Sequence, residues 1–204
     1  MTASFISFEG IDGAGKSTHI ARLHEHLLAR NTDVCLTREP GGTPLGEAVR
    51  GWVLNQGMAI DSEVLLLLAA RAEHVAQVIR PALAAGRTVL CDRFSDATLA
   101  YQGYGRGVDL ARLRQLCGWA ESGVRPSLTV LFDVPPEVSR DRLAGLKTPD
   151  RFESEQAAFF ERVRQGYLAL AAAEPERFVV LDATQPLDTV TAQLIAAVDT
   201  RLPG

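Results

Sequence analysis

The stretch Ser4-Phe5-Ile6-Ser7-Phe8-Glu9-Gly10-Ile11-Asp12-Gly13-Ala14-Gly15-Lys16-Ser17 decides the fold. A short apolar run ends in a glycine-rich turn, and a helical pattern over 16–29 begins inside that turn. Residues 10–17 match GxxxxGK[ST] in full. Each fixed position has a chemical reason. Glycines let backbone N–H groups curl around phosphates, and the helix that follows offers its positive end. A lysine at position 16 reaches the β- and γ-phosphates, and the Ser17 hydroxyl is a magnesium ligand. Gly10, Ile11, Asp12, Gly13, Ala14, Gly15, Lys16, Ser17 and Thr18 are therefore expected to hold the phosphates of a nucleotide.

Working outward, apolar and β-branched runs predict strands at 4–9, 33–37, 88–91, 127–133 and 177–181. They are short and continuously apolar, as strands covered on both faces of a parallel sheet are. Helical patterns lie between them at 16–29, 44–55, 62–84, 95–102, 109–121, 136–143, 155–173 and 187–200. Strand–helix alternation predicts a three-layer α/β/α architecture on a five-stranded parallel sheet, the P-loop NTPase fold. The chain of 204 residues reads as one domain, 1–204, with no repeat or linker. One charged, loop-like segment over 144–153 (AGLKTPDRFE) is expected to form a lid.

Composition excludes several classes. A formal net charge of −4 argues against a general nucleic-acid binder. The longest apolar run, Val64 to Ala70, is far short of a membrane span, and no export signal precedes the first strand, so a cytoplasmic protein is expected. Cys35, Cys91 and Cys117 stand apart without zinc or disulfide spacing. His24 and His26 do not share a helix face, which argues against a metal site there. Of the basic residues only Lys16 and Lys147 are lysines.

A second acidic anchor ends the strand Thr88-Val89-Leu90-Cys91-Asp92, where a carboxylate can act on magnesium directly or through water. Arg93 follows it at the edge of the sheet where ligands bind. No guanine-reading NKxD motif and no LSGGQ-type transporter signature occurs, which leaves a small-molecule kinase with a mobile lid. Taken alone, Arg71 and Arg140 would be solvated helix-surface arginines, and Tyr101 would be core packing.

Arg38-Glu39-Pro40-Gly41-Gly42-Thr43, Asp92-Arg93-Phe94 and Ala100-Tyr101-Gln102-Gly103, in this order after the glycine-rich turn, resemble the bacterial thymidylate kinase family. The likeness runs on to Asp182-Ala183-Thr184-Gln185-Pro186 and so covers nearly the whole chain. It implies ATP as donor, dTMP as acceptor, Mg²⁺ as cofactor and a homodimer, for which the apolar helix around Val64 to Ala70 could supply a face. It implies that Arg38, Glu39, Pro40, Leu67, Arg71, Arg93, Thr98, Tyr101 and Gln102 bind the acceptor, with Asp12. Within that set Arg38 and Arg93 would hold its phosphate, Arg71 and Thr98 its base, and Tyr101 its sugar. Glu9 and Asp12 would organise Mg²⁺ or the acceptor side, with Ser17 and Asp92 on the metal. Arg140 would stack on adenine, and Ala183, Thr184, Gln185 and Pro186 would close over that base.

Departures from the family pattern carry information. Leu67 stands where the family usually has Phe, so aromatic stacking on the base is expected to be lost. Ser127 stands where Asp is common. Gly13 occupies the position of a P-loop arginine, which implies that the catalytic cation comes from the lid. Arg151 leads there, with Arg142 and Lys147 near it, beside Lys16 and Arg93 on the fixed site. Two rivals stay open: another nucleoside-monophosphate or deoxynucleoside kinase, and a regulatory module that binds nucleotide without transferring phosphate.

Overall fold

The computed structural model describes residues 3–144 and 157–201. Five strands, β1 (Phe5–Glu9), β2 (Val34–Arg38), β3 (Thr88–Asp92), β4 (Leu128–Asp133) and β5 (Phe178–Asp182), form one sheet in the order β2-β3-β1-β4-β5. All pairings are parallel. Every residue of β1 is buried, because helices cover both faces of the sheet. The expected strands therefore stand within a residue of their predicted ends.

The helices are α1 (Lys16–Ala29), α2 (Pro44–Asn55), α3 (Ile60–His74), α4 (Arg80–Ala84), α5 (Ser95–Thr98), α6 (Leu110–Glu121), α7 (Pro136–Leu143), α8 (Ala157–Ala173) and α9 (Leu187–Asp199). Local chemistry sets their starts. Thr43 accepts a hydrogen bond from the Gly46 N–H ahead of a proline in the first turn of α2, and Asp109 does the same for Arg112 in α6. The single helix expected over 62–84 is divided: a π-helical turn, Val75–Ile79, joins α3 to α4. Pro81 follows that turn, and the wider winding relieves the clash of its ring with the carbonyl four residues earlier. A second π-helical segment, Leu99–Gly105, continues α5.

The core falls into two apolar clusters. The smaller gathers Phe5, Val75, Ile79, Val89 and Phe94, and the larger holds Phe8, Leu23, Phe132, Val163 and Leu194. In the larger, α8 lies tightly on the segment Leu99–Gly105. Gly166 permits this approach: a Cβ there would fall 2.6 Å from the Tyr104 ring. That contact matters for function, since it sets Tyr101 and Tyr167 side by side with ring centroids 6.3 Å apart.

Gly166→Ala is expected to destabilise the fold by about 1–3 kcal/mol through overpacking, read as a lower urea midpoint. Gly118→Ala, on α6 with open space around its Cβ, is expected to be neutral or mildly stabilising in the same titration. Equal effects of the two would contradict the close α8 contact.

Candidate active site

The C-terminal ends of β1 and β3 lie side by side, with Phe8 in register with Asp92. This places Gly10 to Ser17 and Asp92-Arg93 at one edge of the sheet. Gly15 caps α1 in a left-handed conformation, and no side chain caps that helix, so its first N–H groups face outward as an anion site does. Lys16 is buried and its Nζ donates to the carbonyls of Gly10 (3.0 Å) and Ile11 (3.1 Å). Burial lowers its pKa, and the neighbouring Arg93 lowers it further. An arriving phosphate would relieve both effects. Asp92 Oδ1 is buried without a hydrogen-bond partner among the described residues, and the Ser17 side chain is exposed. An orphaned carboxylate oxygen and a free hydroxyl are hard oxygen ligands, the set magnesium accepts when phosphates and water complete its shell.

Arg93 joins the two halves of the site. It adopts a left-handed backbone conformation (φ 71°), rare for a non-glycine residue and concentrated at functional sites. Its guanidinium donates to Asp12 (2.9 Å), to the Tyr167 hydroxyl (3.1 Å) and to the Tyr101 hydroxyl (3.2 Å), and lies 4.9 Å from the Tyr101 ring centre. Behind it, Glu9 is fully buried and accepts from the Phe94 N–H (2.7 Å) and the Tyr167 hydroxyl (2.8 Å). Each Glu9 oxygen thus takes one hydrogen bond, which holds the carboxyl in a single orientation behind Arg93.

All the expected acceptor residues except Arg38 line one cleft. Arg38 instead forms a two-pronged pair with Glu47 (2.9 and 3.1 Å) on the exposed surface. Arg71 is not a solvated surface arginine; it is 3% exposed and fully ordered by its neighbours. Its Nε donates to Glu39 (2.7 Å), and Nη2 donates to Thr98 Oγ1 (3.0 Å) and to the Phe94 carbonyl (3.2 Å). The other Glu39 oxygen meets His74 Nδ1 at 2.9 Å. Gln102, also buried, donates from Nε2 to Glu63 at 2.7 Å. Leu67 contributes an apolar wall, and the Phe94 ring in the same cleft carries Arg71 over it at 5.2 Å.

The donor side differs from expectation in one respect. Arg142 donates to the Ala183 carbonyl (2.8 Å) and to the Gly13 carbonyl (3.5 Å), so it ties α7 to the P-loop and to the loop over 183–186. In this arrangement its charge serves position, not transfer. Arg140 is 72% exposed and open to a stacking partner, while Ala183 is buried and Thr184 and Gln185 fold back onto Asp182. Gly13 has φ 76°, and a Cβ there would fall 2.6 Å from the Ser139 carbonyl and 2.9 Å from its hydroxyl. Ser139 itself donates to the Asp12 carbonyl. No side chain fits at position 13 without moving α7. Lys147 and Arg151 lie outside the described residues.

Several lining residues escaped the sequence reading. Arg50 lines the acceptor cleft and donates to the Pro40 carbonyl at 3.2 Å. Its spacing to Val53 and Leu54, which share the cleft, puts it on the inward face of α2 and was a usable signal. Phe94 follows Arg93 directly, and Ala97 lies three residues beyond Phe94. Tyr167 carried no signal, because its partner Glu9 is 158 residues away.

Burial and the nearby Asp96 push the Glu9 pKa up to about 8, against the pull of Arg93 and two donors. A carboxyl whose folded pKa exceeds the unfolded one stabilises fully below the unfolded value, and that contribution is lost as pH rises through the folded one. Stability is therefore expected to fall between about pH 5 and pH 8. Glu9→Gln should flatten that decline in urea titrations; an unchanged slope would contradict the assignment.

The model of the thymidylate kinase family matches residues 8–194. The chain is 56% identical to a thymidylate kinase of Cupriavidus metallidurans over 194 residues, 95% of this chain and 96% of that protein. It is 53% identical to the enzyme of the same name from Cupriavidus pinatubonensis, over 98% of this chain and all of the relative. A third, from Methylobacillus flagellatus, is 51% identical over 96% of both chains. With a P-loop at the end of β1, an arginine-bridged acceptor cleft beside it and matches of this extent, the chain belongs to the thymidylate kinase family.

Proposed function

We propose that this protein transfers the γ-phosphate of ATP to dTMP, giving dTDP and ADP, as a cytoplasmic, magnesium-dependent homodimer. The observation that carries the reading is Arg93, whose one guanidinium touches Asp12 of the P-loop and Tyr101 of the acceptor cleft. A cation shared by both sites is what bringing two phosphates together requires.

The acceptor is a phosphate monoester with a second pKa of about 6, so at neutral pH it is mostly a dianionic nucleophile. One of its oxygens bonds to the γ-phosphorus while the bond to the β–γ bridging oxygen breaks, and ADP leaves with that electron pair. No general base is needed. Lys16 and Arg93 stabilise charge as it spreads over the transferred group, and the rigid cleft supplies alignment. Bound magnesium would neutralise β- and γ-oxygens, with Ser17 and Asp92 as its protein oxygens. Arg151 of the segment 144–153 supplies the remaining cation. The crowding at Gly13 supports this, since the P-loop has no room for one.

A second copy of the chain would cover three exposed apolar side chains on neighbouring helices: Trp52 of α2 (45% exposed), Leu65 of α3 (60%) and Trp119 of α6 (79%). Helix α3 packs against both others. Sedimentation is expected to show a dimer that Trp119→Asp dissociates, and a monomeric parent would refute it. Among the described residues no helix is long and apolar enough to cross a membrane.

ADP release measured with dTMP, dUMP, dCMP and thymidine tests the activity. dTMP should be the preferred acceptor. Use of thymidine, or equal use of dCMP, would point to a different kinase, and nucleotide binding without turnover to a regulatory module. In the same assay Arg151→Ala should lower kcat by about 10³-fold with little change in dTMP KM. Unchanged turnover would remove Arg151 from the mechanism.

A further inference from the structure

At the inner end of the acceptor cleft, one side chain has a hydrogen-bonding sense that its own chemistry leaves open. Arg71 can only donate. Gln102 can present either its carbonyl or its NH₂ group to the cleft, because the amide flips about one torsion. A base is read differently by the two orientations. Thymine offers acceptor, donor and acceptor along O4, N3–H and O2, whereas cytosine offers donor, acceptor and acceptor. A Gln carbonyl facing the base pairs with thymine N3–H and opposes the bare N3 of cytosine.

Glu63 decides the orientation. It is 1% exposed, and its Oε1 takes the Gln102 Nε2 hydrogen bond at 2.7 Å. A carboxylate has no hydrogen to give, so the amide NH₂ is held toward it and the amide oxygen is left for the cleft. Gln102 lines that cleft, and among the described residues no side chain donates to its Oε1. The pair joins α3 to the π-helical segment Leu99–Gly105, and Gln102 is itself 2% exposed, so solvent offers the amide little competition.

We infer that Glu63 is a positioning residue for acceptor choice: by locking the Gln102 amide with its oxygen toward the base, it favours bases that carry N3–H over those that do not. The inference rests on the reading of dTMP as acceptor. It makes discrimination against cytosine a property of a residue that need not touch the substrate. With cytosine bound, the locked amide oxygen would face the bare N3 lone pair, an arrangement that rejects strongly because neither group can turn to water.

The test compares kcat/KM for dTMP with that for 5-methyl-dCMP, which keeps the methyl group, sugar and phosphate and differs only along the base edge. In the parent protein the ratio is expected to favour dTMP strongly. Glu63→Gln, close to isosteric, frees the amide to turn, and the ratio should fall by about tenfold, chiefly through KM. Glu63→Met removes the acceptor altogether and should move the ratio the same way. In a Gln102→Ala background neither change should alter the ratio further. A loss of activity toward both nucleotides with the ratio kept would show a merely structural role and overturn the inference. So would a ratio that falls as much without Gln102 as with it. A parent protein that does not use dTMP would defeat the acceptor reading first, and it is read in the same plate before any variant.

Discussion

Everything at the site hangs on the burial of Arg93 among groups that need it. Its side chain is 16% exposed, and the guanidinium answers to Asp12 and to two tyrosine hydroxyls, one of which also bonds Glu9. A buried cation is costly unless paired and hydrogen-bonded, so these partners are set by the same requirement that sets the arginine. The consequence is a short chain of contacts, Glu9 to Tyr167 to Arg93 to Asp12, that fixes the P-loop relative to the acceptor cleft before any substrate arrives. Preorganised charge of this kind stabilises a transferring phosphoryl group without reorganisation at the moment of reaction.

Close packing then keeps position 13 free of any side chain. Helix α7 lies on the P-loop through Ser139 and Asp12, and Arg142 fastens the same helix to the Gly13 and Ala183 carbonyls. That arrangement consumes the space a residue at position 13 would need, and it consumes Arg142 as well. Helix α7 leads straight into the segment that carries Arg151. Arg142 and Leu143, which reach Gly13, lie in the last turn of that helix.

At the acceptor end, buried ion pairs do for specificity what Arg93 does for alignment. Glu39 divides its two oxygens between Arg71 and His74, and His74 in turn meets the Thr37 hydroxyl at 2.7 Å. Such a network holds each donor in one orientation, which is how a site of mostly apolar walls reads a base edge. With Leu67 at the apolar wall, the aromatic surface in the cleft comes from Phe94 and Tyr101, and Arg71 already covers part of the Phe94 ring.

The sequence by itself determined the strand–helix alternation, the position of the P-loop and the identity of the acceptor motifs, because each is written in local spacing: period, glycine placement and short runs such as Arg38-Glu39-Pro40. Local patterns also set the strand ends, since β-branched apolar runs stop where polar residues begin. Only the tertiary structure decided how the charges are shared. That Arg38 pairs with Glu47 while Arg50 enters the cleft depends on how the turn after β2 folds back on α2, and that Arg142 serves packing and Tyr167 completes the Arg93 cluster depends on contacts between residues far apart in the chain. A guanidinium can reach several acceptors from one backbone position, and which it takes is settled by burial and by the competing partners that folding brings near it.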